Sequence, residues 1–155
     1  MSAAQAWKVP QSVLVVIYSA ELDVLLIERA DHPGFWQSVT GSKDSEDEPE
    51  LDTARREVRE ETGIEVGGAW VPHANLRNWQ LRNDYEIYPQ WRHRYAPGVT
   101  QNTESVFGLR VPRDIPVVLS AREHVARIWL PWQEAAKRCF SRTNAQAILQ
   151  LPRFL

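Results

Sequence analysis

Apolar residues run unbroken from Val13 to Ile17 and again from Val24 to Ile27, with the turn-like Ala20–Asp23 between them. The first run is rich in β-branched residues and follows a single positive charge, Lys8. It is too short to span a bilayer and lacks the flanks of a signal peptide, so both runs predict strands, over Ser12–Tyr18 and Val24–Arg29. Trp36–Thr40 predicts a third, short strand. A helix is predicted over Pro49–Thr62, because proline suits a first helical turn and Gly63 suits the position just past the end. Beyond it the pattern predicts strands over Ala69–Arg77, Tyr85–His93, Ser105–Val111 and Ala126–Leu130. Helices follow over Trp132–Phe140 and Asn144–Leu151, the second capped by Thr143 or Asn144. No repeat, low-complexity tract or long linker divides the chain, so residues 1–155 are expected to form one domain. Strands interspersed with few helices predict an α/β fold: a mixed sheet with helices on both faces.

The helix at 49–62 has an unusual distribution of charge. At about 100° per residue, Leu51, Ala54 and Val58 form an apolar stripe. Glu61 falls about 50° from the centre of that stripe, Glu57 about 90° and Glu60 about 150°. Charged helices are usually solvated surface elements, but such a helix gains nothing from two like charges at the border of its buried face. Carboxylates at i, i+3 and i+4 repel one another by roughly 0.2–0.5 kcal/mol per pair. A hard divalent cation reverses that sign, because Mg²⁺ takes oxygen ligands and shares its shell with phosphates.

Composition narrows the surroundings of this helix. The chain has 155 residues, 43% hydrophobic and 25% charged, which suits one compact core. A net charge of −2 gives no basic field for duplex nucleic acid. Cys139 is the lone cysteine, so there is no internal disulfide, and a reducing, cytoplasmic setting is expected. No membrane partner is expected, and the oligomeric state is open.

Gly41, Glu48, Arg56, Glu57, Val58, Glu60, Glu61, Gly63 and Ile64 together resemble the Nudix box, the signature of hydrolases that cleave diphosphates linked to another moiety. Six residues, Ser42 to Asp47, separate the glycine from the first glutamate, where the box has five. The extra residue lies in a polar loop, where insertion costs little, and the intact spacing to Arg56 favours Glu48 over Asp47 in the first acidic role. The resemblance implies an α/β/α sandwich. Outside the box, Phe35–Ser42, Arg92–Thr100, Asn102–Ser105 and Glu123-His124 resemble the bacterial branch of the family that acts on a pterin triphosphate in folate biosynthesis.

That branch implies Mg²⁺-dependent hydrolysis (Mn²⁺ substituting) of 7,8-dihydroneopterin 3′-triphosphate to the monophosphate and pyrophosphate. It implies Glu57, Glu61 and Glu123 as metal ligands, with Glu60 a further catalytic candidate for contacting metal or orienting water. It also implies substrate contacts at Thr40, Tyr85, Glu86, Ile87, Tyr88 and Thr143, and Lys8 and Arg29 are further candidates from their own chemistry. An arginine fork at 29 suits phosphate oxygens, and Lys8 offers a further point charge. In Tyr85–Tyr88, strand alternation puts Tyr85 and Ile87 on one face and Glu86 and Tyr88 on the other. Arg92, His93 and Arg94 suit either phosphate or surface ion pairs. The seven tryptophans are read as packing, and none is assigned to the site. Arg56 is expected to hold the glutamates together by salt bridges. Two other readings share these residues: a housecleaning pyrophosphohydrolase of (deoxy)nucleoside triphosphates, and a non-catalytic Nudix-fold binding module.

Overall fold

A computed structural model describes residues 7–155, so the first six residues of the expected domain lie outside the described part. Strand β1 (Gln11–Tyr18) is buried along almost its whole length and organises the sheet. On one edge it pairs in parallel with β6 (Gln101–Arg110), from Gln11↔Thr103 to Tyr18↔Arg110. On the other it pairs antiparallel with β4 (Val39–Ser42) and, at Tyr18↔Val24, with β2 (Asp23–Arg29). Strand β2 continues into β3 (Trp36–Gln37) and β7 (His124–Pro131), and β6 carries β5 (Leu76–Glu86) at the far edge.

Alternate residues of these strands feed two separate cores. Val13, Val15, Ile17, Phe107 and Leu109 pack under helix α1 (Glu50–Thr62) through Ala54 and Val58. Leu14, Val16, Leu26 and Val106 pack against helices α2 (Trp132–Arg138) and α3 (Arg142–Leu149) through Ala135, Ala136, Ala147 and Ile148. A strand buried on both faces reads as a continuous apolar run, which is the pattern at 13–17. The result is the expected α/β/α sandwich with a mixed sheet.

Several elements depart from the sequence expectations. The expected strand Trp36–Thr40 is two strands, because Ser38 leaves the ladder and its amide donates to Asn144 Oδ1 at 2.8 Å. Residues 69–75 form a turn and a 3₁₀ segment rather than a strand, and β5 begins only at Leu76. The expected strand Tyr85–His93 ends at Glu86, and Pro89–Arg94 curls into 3₁₀ turns instead. Proline cannot donate to a ladder, and its fixed φ suits the start of such a turn. Ser141 caps α3, accepting from the Asn144 amide, in place of Thr143 or Asn144. The Asn144 side chain is committed elsewhere, its Nδ2 donating to Ser38 Oγ at 2.9 Å.

Helix α1 keeps its expected phase. Glu61 is 2% exposed and Glu57 9%, while Glu60 faces solvent. Leu51 breaks the apolar stripe, being 43% exposed; Thr53 and Thr62 complete the buried face instead. Pro49 sits one residue before the first helical turn, in extended conformation. Gly63 ends the helix at φ 74°, a left-handed conformation in which its amide closes onto the Arg59 carbonyl.

Candidate active site

Arg56 is the hub of the acidic helix. Its fork donates to Glu48 Oε1 at 2.9 Å and Oε2 at 3.1 Å, to Glu57 Oε1 at 2.7 Å and to the Ser42 carbonyl at 3.0 Å. Asp44 lies 3.2 Å away and Glu60 3.4 Å. Glu48, with the Arg56 hydrogen bond as the chief cause, is held down at about 2. It also accepts from the Asp44 amide and Thr53 Oγ1, pinning the polar loop to the helix. Asp47 is exposed, so Glu48 takes the first acidic position.

Glu57 and Glu61 lie where the helix border meets β4. Burial raises the Glu61 carboxyl well above the usual range, and its hydrogen bond and charge interaction with Glu57 raise it further. Burial likewise raises Glu57, against the opposing pull of Glu61 and Arg56. Gly41 leaves the space for this pair: a Cβ there would overlap the Glu57 carboxyl. Glu61 Oε1 is buried and has no hydrogen-bond partner. His124 Nε2 stands 3.9 Å from it, but burial, and then Arg29, lower His124 to about 4, so it is neutral and no ion pair forms.

A cavity of about 540 Å³ opens over these groups, lined by Glu57, Glu60, Glu61, Glu123 and the bases Lys8, Arg29 and Arg94. Glu123 is exposed at its rim, on the turn before β7. Among the described residues no three acid, imidazole or thiol groups close into a ready ligand set. The donor set still fits a hard divalent cation: two desolvated carboxylates, one with an orphaned oxygen, gain from positive charge that takes oxygen ligands.

A second cavity, of about 320 Å³, adjoins the first and shares Lys8, Arg29, Gln37, Thr40, Gly41, Ser42 and Arg94 with it. The expected contact residues converge here: Lys8, Arg29, Thr40, Tyr85, Glu86, Ile87, Tyr88 and Thr143 all line it. Burial, and secondarily Arg94, lower Lys8. Arg29 forms a bidentate pair with Asp31, both contacts 2.8 Å, and its guanidinium stacks 4.4 Å over the Trp91 ring. Thr40 Oγ1 donates to the Val13 carbonyl at 3.1 Å. Of the 92–94 trio, only Arg94 reaches either cavity. Arg92 instead donates to the Ile87 carbonyl at 3.2 Å.

The sequence reading missed three parts of the two cavities. Trp91 and Phe140 join Tyr88 and Tyr95 as an aromatic wall, with Trp91 and Tyr88 edge-on at 5.3 Å. Asn102 and Glu104 supply a buried polar floor from β6. His124 and Gln37 meet at 3.4 Å behind the acid pair. No spacing signals the wall, because it depends on the 3₁₀ turns at 89–94. The alternation of Asn102 and Glu104 on one strand face was the available clue to the floor.

Comparison with known proteins agrees with this geometry. The NUDIX domain pattern matches residues 8–151. The chain is 44% identical over 147 residues to the dihydroneopterin triphosphate diphosphatase of Escherichia coli K12, covering 94% of each chain. It is 37% identical to the protein of that name from Haemophilus influenzae, covering 92% of this chain and 87% of the relative. The solved structure of the E. coli dihydroneopterin triphosphate pyrophosphohydrolase superposes with a TM-score of 0.84, over 94% of this chain and 96% of that one. With the box residues gathered around Arg56 and a match across nearly its whole length, the chain belongs to the Nudix family.

Proposed function

We propose that this chain is a pyrophosphohydrolase that converts 7,8-dihydroneopterin 3′-triphosphate to dihydroneopterin monophosphate and pyrophosphate. One observation carries the reading: the cavity over the buried acid pair adjoins the aromatic, polar-floored chamber, and Lys8, Arg29 and Arg94 line both. A flat heterocycle fits the chamber, and its triphosphate then extends past the bases toward Glu57 and Glu61. The names of the E. coli and H. influenzae relatives support the pterin as that heterocycle.

Glu57, Glu61 and Glu123 would hold Mg²⁺ or Mn²⁺. When bound, the cation supplies Lewis-acid polarisation of phosphoryl oxygens and neutralises the charge of the leaving pyrophosphate. The protein's own part is positioning. Lys8 and Arg94 meet phosphate oxygens, and Arg29 does so by sharing or exchanging its Asp31 partner. Arg56 fixes Glu57 and Glu48, so the acid pair keeps its place on the helix. Glu60, exposed and one helical turn from Arg56, would orient water beside the acid pair. One water adds across the anhydride between the first and second phosphates.

Pyrophosphate release from dihydroneopterin triphosphate, dATP and 8-oxo-dGTP tests the assignment. The pterin should give the highest kcat/KM, and Glu57→Gln and Glu61→Gln should depress all three substrates in parallel by orders of magnitude. A better dATP substrate would overturn the pterin while leaving the chemistry. Near-normal turnover in both glutamine variants would overturn the site.

A further inference from the structure

The floor of the aromatic chamber leaves two acceptor oxygens without donors, although the Thr143 and Asn83 side chains reach the Glu104 carboxyl. Glu104 is 4% exposed and Asn102 1% exposed, and both line the cavity. Glu104 Oε1 and Asn102 Oδ1 are buried with no hydrogen-bond partner. The orientation of Asn102 is fixed from behind, since its Nδ2 donates to Ser12 Oγ at 2.7 Å and to the Tyr85 hydroxyl at 3.1 Å. Its carbonyl oxygen is therefore the end left over. β6 places the two side chains two residues apart on one sheet face, with Ser12 of β1 and Asn83 of β5 flanking Glu104. Buried acceptors left unpaired are costly, and a native fold retains them where something else completes them.

An edge rich in N–H donors would do so. A 2-amino-4-oxo-pyrimidine ring offers a ring N–H and an adjacent amino group, which a carboxylate accepts as a parallel pair. Pterin and guanine share that edge. Adenine presents an amino group beside an acceptor nitrogen, which would leave Glu104 facing a lone pair. We propose that Glu104, with Asn102 beside it, reads the base by accepting the N–H bonds of the 2-amino-4-oxo edge. The aromatic wall supplies stacking that any base satisfies, so selection falls to the floor. The assignment rests on the triphosphate-hydrolase reading above and names its specificity determinant.

Glutamine at 104 keeps the volume but exchanges one acceptor for a donor. The experiment measures kcat/KM at pH 8, where Glu104 is ionised, for dihydroneopterin triphosphate, GTP and ATP with the unaltered chain and with Glu104→Gln. The pterin-to-ATP and GTP-to-ATP ratios should each collapse by about tenfold or more in the variant. Ratios unchanged by the substitution overturn the assignment, because a structural role alone would lower all three substrates together. If Glu104→Gln fails to fold, metal-free binding to the unaltered chain decides. Dihydroneopterin and guanosine should then bind more tightly than adenosine, and equal affinities overturn the proposal. A chain that prefers ATP to the pterin refutes the pterin substrate by itself. A GTP preference that collapses in the variant still supports the role of Glu104.

Discussion

Burial raises the Glu104 carboxyl to about 7, from an ordinary 4.5, with the Thr143 and Asn83 side chains pulling the other way. Between those two values the folded chain keeps a proton that the unfolded chain has released. The resulting stabilisation is complete below about 4.5 and is lost as pH rises through 7. Tyr85, facing it, is raised by burial and then by Glu104, so it does not titrate in this window. A permanently neutral Glu104→Gln side chain escapes the loss. Its melting temperature relative to the unaltered chain should therefore be more favourable at pH 8 than at pH 5. Glu57 and Glu61 are raised too, but they are common to both proteins and cancel in the difference. A difference that stays flat with pH would mean that Glu104 ionises freely in the fold.

Helix α1 joins stability to chemistry through one side chain. Arg56→Ala would strip the ion-pair partner from Glu48 and Glu57 at once, leaving largely buried carboxylates without a compensating positive charge. A loss of about 2–4 kcal/mol is expected, with turnover falling in step. Arg56→Lys restores the charge but not the fork, so it should recover only part of either. Denaturant midpoints and pyrophosphate release on the two variants check this. Helix α1 was legible in the sequence because a 3.6-residue phase, an entry proline and an exit glycine agree on one element. Strand β5 was not. Its register shifts between Asn78 and Leu81, where Gln80 takes φ 60°, so burial falls at Leu76 and Trp79 before any alternation begins. A bulge of this kind erases the period-two signal on which strand reading depends. The break at Ser38 was equally hidden, since it is set by Asn144, more than a hundred positions away.

Across the molecule, the acid cluster could be read because one helix carries most of it. The chamber could be read only in part: eight of its lining residues were expected, but Trp91, Phe140, Asn102 and Glu104 were not, because its walls come from β1, β4, β5, β6, the 3₁₀ turns and α3. Burial raises both the Glu57 and Glu61 carboxyls, so a divalent cation that takes their charged forms as ligands should stabilise the whole domain and not merely activate it. At ten to a hundred times its Kd, Mg²⁺ would contribute about 1.4–2.7 kcal/mol. That corresponds to a rise of roughly 3–10 °C in the melting temperature. Chelation should remove both the rise and the activity, and Glu61→Gln should show little rise at any Mg²⁺ concentration. A melting temperature indifferent to Mg²⁺ in the unaltered chain would mean that these carboxylates do not hold it. The two cavities touch along β4, yet the acids come chiefly from α1 while the floor of the chamber comes from β6. Heredity can act on them separately: descendants of such a chain can exchange one heterocycle for another through a few substitutions in the chamber while inheriting the same short acidic signature intact.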